Sequence, residues 1–347
     1  MAILYLIFCN DKKFKIPKED PASYFPRELG GTLSKADSAV TYKSKTILLI
    51  RHGESTWNDT FNAGDRNKVS FVLFFIPNLM YVIAMEVYFF VSGKEADSWF
   101  FDAPLSGKGV RQSEGLKRFL KKESQRFKSS AAAESNPSER AVKLLLALDD
   151  DNESHVISSN LRRAISTAAI GLSDRFARSI KKNRNDDSKI VLVPSLQEIS
   201  RNPDALSILP PRGIAHPTWC DTSIPGLIPH PSSFSSLVDT AHHEGNKPVS
   251  TNGLLRLCQF CNDLFDSTKL PKSTIIAAGH SLFFRSFFQC YLPRGEEHVS
   301  KKKKLVNGGV VMFTLREASL SGGKKEYMID KSSVVVIYGG FGKHIKG

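Results

Sequence analysis

Short runs of β-branched and aliphatic residues recur along the chain at wide spacing, at 46–50, 156–158, 189–193, 274–278, 310–314 and 333–337. Nearly continuous apolar runs of this kind suit strands that are covered on both faces. Helical patterns lie between them. Over 113–127, Leu116, Phe119, Leu120 and Phe127 share one face while Lys117, Lys121 and Lys122 fall outside it. The stretches 160–180 and 252–265 follow the same period. Strands alternating with helices predict an α/β fold, a three-layer α/β/α arrangement around a mainly parallel central sheet.

The pattern also marks where this fold is enlarged. Residues 1–45 form an N-terminal extension, and 46–347 read as one α/β domain with insertions at about 60–100, 128–140, 181–188 and 202–250. The apolar start at 1–8 lacks a basic leader and a small-residue cleavage site, so a strand or an anchoring segment is expected rather than a secretory signal. Residues 70–91 are almost wholly apolar and approach the ~20 residues that cross a bilayer. Pro77 and Asn78 divide that run, and Glu86 lies inside it. With Pro77 in its first turn, a helix ending near Gly93 would hold about 15 residues. This predicts a buried cap helix, or one in peripheral contact with a membrane interface, rather than a span.

Composition narrows the class. With 41% hydrophobic and 24% charged residues in 347, the chain is neither disordered, collagen-like nor a disulfide miniprotein. Lys and Arg number 48 against 35 Asp and Glu, and the resulting +13 favours an anionic partner. The basic runs at 181–182 and 301–304 lack interleaved aromatic residues, so nucleic acid is not expected. Five cysteines are an odd number in a long chain and read as reduced thiols, hence a cytoplasmic location, with membrane association through 70–91. Cys258 and Cys261 sit in a helical run and read as core packing, since no second pair completes a zinc site.

The candidate chemistry sits directly after two strands. Arg51-His52-Gly53-Glu54-Ser55 follows the run 46–50, and Gly279-His280-Ser281 follows 274–278. Ligands of parallel α/β sheets bind outside the carboxyl ends of the strands, so both imidazoles are expected at one rim. Ser281 is placed to cap the next helix, whose N-terminal amides favour an anion. Glu54 and Ser55 read as shaping the turn and helix start after His52. His155, His216, His230, His242, His243, His298 and His344 have no comparable context.

Five segments in order, and the Asn307-Gly308-Gly309 turn, make the chain resemble the histidine phosphatase superfamily, the phosphoglycerate mutase-like group. They are 49–58, 102–109, 158–168, 196–198 and 278–281. The resemblance implies that His52 is a nucleophile giving a phosphohistidine. It implies that Arg51, Asn58, Arg163 and His280 bind the phosphoryl group, a task that guanidinium forks suit. It implies that Glu198 is the acid that protonates the leaving oxygen, a task for which partial burial should raise its carboxyl pKa. Of the two adjacent arginines, the pattern selects Arg163 and leaves Arg162 solvated. No metal or organic cofactor is implied. The expected activity is phosphomonoester hydrolysis of a phosphorylated substrate. The alternatives are mutase-type phosphoryl transfer and a non-catalytic phosphate-binding or membrane-surface adaptor. One departure weighs against the mutase, since 199–204 after Glu198 does not match that branch; 59–101, far longer than the substrate loop of the glycolytic enzymes, leaves the identity of the substrate open.

Overall fold

The computed structural model describes residues 41–62, 67–129, 136–148, 154–182, 189–213, 236–248 and 253–342. The expected strand at 1–8, Cys9, Cys220, His216, His230, His344 and parts of the three expected loop insertions lie outside the described residues.

Among the described residues, eight strands form one sheet: β1 (Thr41–Arg51), β2 (Ser154–Ser158), β3 (Ile190–Leu192), β4 (Val238–Asp239), β5 (Thr274–Gly279), β6 (Val310–Ser319), β7 (Lys325–Ile329) and β8 (Val335–Tyr338). The order is β4-β3-β2-β5-β1-β6-β7, and β8 also pairs with β6. Strands β4 to β1 along this path are parallel, whereas β6 runs antiparallel to β1, β7 and β8. The sheet is thus mainly parallel with an antiparallel edge. Strand β1 begins five residues before the apolar run, because 41–45 pair with 315–319 of β6.

Alternation along the strands divides the core into two layers. Ile47, Leu49, Ile275 and Ala277 face one way, onto helices α7 (Gly253–Phe265) and α8 (Ser281–Tyr291). Leu48, Ile50, Ile276 and Ala278 face the other, onto α3 (Gly107–Ser129), α4 (Pro137–Leu146), α5 (Arg162–Gly171) and α6 (Ser173–Lys181). The expected three-layer α/β/α architecture follows from this packing. Four phenylalanines of α8 (Phe283, Phe284, Phe287 and Phe288) are fully buried, and each contributes on the order of 2–3 kcal/mol by leaving water.

Three local expectations are corrected. The single helix expected over 160–180 is two, α5 and α6, which break after Gly171. A Cβ at Gly171 would lie 3.0 Å from Leu116 Cδ2, so the glycine lets α3 cross closely. Cys261 is buried as expected, but Cys258 faces out on α7. The apolar run is a continuous helix, α2 (Lys68–Val91), with Pro77 inside it rather than at its start. It follows the short helix α1 (Thr56–Phe61), and most of its surface is exposed, so it is not a buried cap. Among the described residues it is the one helix long and apolar enough to cross a bilayer, judged by length and composition.

Arg162 is also corrected. It is 3% exposed, not solvated. Its Nε donates to the Asp102 carbonyl at 2.9 Å, Nη1 to Ala96 O and Nη2 to Ser98 O, each at 2.5 Å, and its amide donates to Asp102 Oδ1 at 2.8 Å. The N-terminus of α5 is sandwiched under the 96–102 loop, so two adjacent helical residues are both buried, on different walls. Arg162→Ala would strand these carbonyls without partners, while the main-chain bond to Asp102 Oδ1 would remain. It should lower the unfolding free energy in urea titration by about 3–5 kcal/mol.

Candidate active site

The register of the parallel strands assembles the site. Arg51 is the last residue of β1 and lies opposite Gly279, the last of β5. His52 and His280 therefore leave neighbouring strands at the same level. The His52 amide donates to Gly279 O at 3.0 Å, and the two rings lie 5.0 Å apart between centroids. Strand β2 ends level with β5 and leads through Ser159 into Arg162 and Arg163, while β3 leads through a short turn into Glu198. The four parallel strands β1, β5, β2 and β3 thus deliver every residue singled out in the sequence except Asn58, which α1 carries.

The geometry at His52 settles its tautomer. Nδ1 lies 2.5 Å from the Gly53 carbonyl, which can only accept, so Nδ1 carries the hydrogen and Nε2 the lone pair. Burial, followed by the nearby Arg163 and Arg51, holds the imidazole well below its usual pKa. A neutral ring with a free Nε2 lines a cavity of about 710 Å³. The glycine after it has a steric cause: a Cβ on Gly53 would lie 2.4 Å from Gly109 O, and one on Gly109 would lie 2.0 Å from Glu54 O. The two motifs at 51–55 and 102–109 touch backbone to backbone. Ser55 caps α1, accepting from the Asn58 amide at 3.2 Å, and Glu54 pairs with Lys108 at 3.5 Å. Both therefore shape the turn, as expected.

Two guanidinium groups flank the imidazole. Arg51 donates from Nη1 to Leu305 O at 2.5 Å, and burial lowers its pKa to about 10, which leaves it charged at neutral pH. Arg163 donates from Nη1 to Asp204 O at 2.5 Å, with Nη2 3.4 Å from Asp204 Oδ2. Burial raises the Asp204 pKa, and Arg163 opposes that rise. Arg51 Nε, Arg163 Nε and His280 Nδ1 are buried and have no hydrogen-bond partner. Unpaired buried nitrogens carry a desolvation cost of about 1–3 kcal/mol each; Arg51 and Arg163 line the cavity with His52, whereas His280 lies behind its lining. His280 is itself 0% exposed, its Nε2 2.8 Å from Ser159 Oγ. Burial first, then Arg163, holds its pKa well below the usual value. Asn58 lines the cavity beside Trp57 and Phe61, with its amide oxygen accepting from Asn62.

Glu198 occupies the N-terminus of α8. Its Oε1 accepts from the amides of Ile199 at 2.8 Å and Phe283 at 3.1 Å, and its Oε2 accepts only a long bond from Leu282 at 3.4 Å. The helix-terminal amides that the sequence reading leaves open for an anion are therefore taken by this carboxylate. The expected cap is corrected as well, because His280 holds the N-cap position and makes no side-chain bond there.

Several residues that the sequence reading missed hold this wall. Lys247 donates from Nζ to the carbonyls of Glu198 and Ser200, and Arg256 reaches the carbonyls of Glu198, Gln197 and Pro194. Burial lowers the Lys247 pKa to about 7. Asp204, Lys247 and Arg256 lie in stretches with no motif, and no sequence signal distinguishes them from surface charges. Lys304, Arg285 and Asn307 also line the cavity, and Asn307 donates to the His52 carbonyl at 3.1 Å. No group of three or more His, Cys, Asp or Glu among the described residues is placed to hold a metal ion.

No family model matches the chain. No curated protein matches it. Solved structures do resemble it at low identity. A phosphoserine phosphatase mutant from Entamoeba histolytica in complex with phosphoserine is 14% identical, with 85% of this chain and 95% of that one covered at a TM-score of 0.35. A mycobacterial hydrolase is 14% identical over 83% and 89% of the two chains, also at 0.35. A mycobacterial glucosyl-3-phosphoglycerate phosphatase complexed with VO3 is 12% identical over 82% and 97%, at 0.32.

Proposed function

We propose that the protein hydrolyses phosphomonoesters through a phosphohistidine at His52. The observation that carries this reading is the Nδ1–H bond to Gly53 O, which leaves a neutral Nε2 lone pair facing a cavity flanked by Arg51 and Arg163. In the first step Nε2 attacks phosphorus, the N–P bond forms, and the ester P–O bond breaks. The leaving oxygen takes a proton from the Glu198 carboxyl, from Oε2, the oxygen left nearly free by the α8 amides. In the second step the Glu198 carboxylate takes a proton from water, the hydroxide attacks phosphorus, and the N–P bond electrons return to Nε2. Inorganic phosphate leaves. Arg51 and Arg163 hold the equatorial oxygens, whose charge grows toward the transition state. Ser159 Oγ already accepts from the Leu161 amide at 3.2 Å, so its hydrogen can serve His280 Nε2, leaving Nδ1–H as a further donor to the phosphoryl group. Asn58, which lines the same cavity, supplies a side-chain amide.

His52→Ala should reduce the hydrolysis of p-nitrophenyl phosphate by about 10³-fold or more and should leave circular dichroism unchanged. The wild type should form an acid-labile phosphoramidate that the variant lacks, and turnover retained by the variant would refute the nucleophile. The depressed pKa of His52 fixes a pH dependence. Its folded pKa lies below the ordinary 6.5, so protonation, and with it loss of the nucleophile, is displaced to lower pH. The His52 ring resonances in NMR should therefore stay in the neutral form from pH 8 down to about 6.5, and a midpoint at or above that value would contradict the geometry.

A further inference from the structure

Helix α2 is an apolar element that the described fold leaves largely uncovered. Val72, Leu73, Phe74, Ile76, Met80 and Phe90 are each at least 60% exposed. Soluble monomers rarely present so continuous an apolar patch to water. Its inner side is different. Val82, Met85 and Phe89 pack on Trp99 and Phe100. Glu86, the one charged residue between Phe71 and Val91, turns toward the domain, where its carboxylate accepts from Ser98 Oγ at 2.9 Å, Trp99 N at 2.5 Å and Phe100 N at 3.0 Å. The outer side of this segment therefore carries no charge.

The way the helix is tethered decides how it can meet a bilayer. Its 24 residues extend about 36 Å. The N-terminal half is tied to α1, where the rings of Phe61 and Phe75 lie 6.3 Å apart. Beyond the C-terminal end, 96–101 are pinned to the domain by Arg162. Both ends belong to one side, so the helix cannot span. It can only lie along the surface. Phe61 lines the cavity and stacks near Trp57 at 4.3 Å and Phe100 at 6.1 Å, which makes a continuous aromatic wall from the active site to α2. Lys68 and Lys94 bracket the helix in sequence, and the chain's charge of +13 complements anionic headgroups.

We propose that α2 is an in-plane membrane anchor, and that the phosphomonoester it presents to the cavity is carried by a lipid of the same leaflet. The second clause rests on the hydrolase reading above. The test is flotation of the full chain with phosphatidylcholine vesicles containing phosphatidic acid, with hydrolysis of that lipid and of soluble p-nitrophenyl phosphate followed in parallel. The variant joins Leu73→Glu to Met80→Glu, two exposed positions away from the cavity. The wild type should float, and the variant should lose bound fraction and phosphatidate hydrolysis about tenfold while keeping its activity on the soluble ester. An unbound wild type, equal flotation of the variant, or a lipid-free dimer that the variant dissociates would overturn the anchor, the last by showing that a second copy covers the helix. Flotation with hydrolysis of the soluble ester alone would overturn the lipid substrate. Flotation with neither ester hydrolysed would overturn the hydrolase reading and leave the anchor standing.

Discussion

The parallel pairing of β1 with β5 carries the rest of the site. Four consecutive rungs of buried apolar residues, 47–50 against 275–278, are followed by Arg51 opposite Gly279, and polar groups follow at and beyond that rung. Two imidazoles leave the sheet there side by side, from segments far apart in sequence. Everything that tunes them follows from this placement. Burial depresses both histidines, the Gly53 carbonyl sets the tautomer of one, and Ser159, arriving on the next strand, bonds the other. A one-residue slip of β5 against β1 would turn its core side chains to the wrong layer and separate the two rings along the sheet.

Much of this was legible in the sequence because it is local. Apolar runs followed at once by Arg51-His52-Gly53 or Gly279-His280 mark strand ends, and strand ends in parallel sheets are where ligands bind. The glycines were legible as motif but not as cause. Only the folded chain shows that Gly53 and Gly109 exclude side chains from each other's backbone. The fate of Arg162 was not legible either. Consecutive helical residues do point in different directions, and the inference that one must be solvated fails because loop 96–102 covers the second direction as well.

Helix α2 was misjudged for a related reason. Pro77 was read as a start because proline fits the first turn, yet an interior proline removes one backbone donor and leaves the helix on either side intact. Glu86 counts in the sequence against a span, because a charge in an apolar run is costly. In the fold, backbone amides of 99–100 and the Ser98 hydroxyl hold the carboxylate on the inner side, so it does not interrupt the outer face. Position in the run said nothing about which side the carboxylate would face.

The same distinction applies to the positive charge. Four buried or nearly buried cations, Arg162, Arg175, Lys247 and Arg256, spend their donors on backbone carbonyls. Each replaces water for a loop or helix end that would otherwise be buried unpaired, so they set the shape of the walls and contribute little attraction at the cavity. Arg51 and Arg163 are built differently. Both line the cavity, and each has a donor anchored to a carbonyl, Arg51 to Leu305 O and Arg163 to Asp204 O. An arginine anchored at one end of its fork is oriented without being saturated, and the unmet remainder is what a phosphoryl oxygen can satisfy. Net charge could only indicate an anionic partner; lining the cavity is what separates Arg51 and Arg163 from the cations that hold the fold.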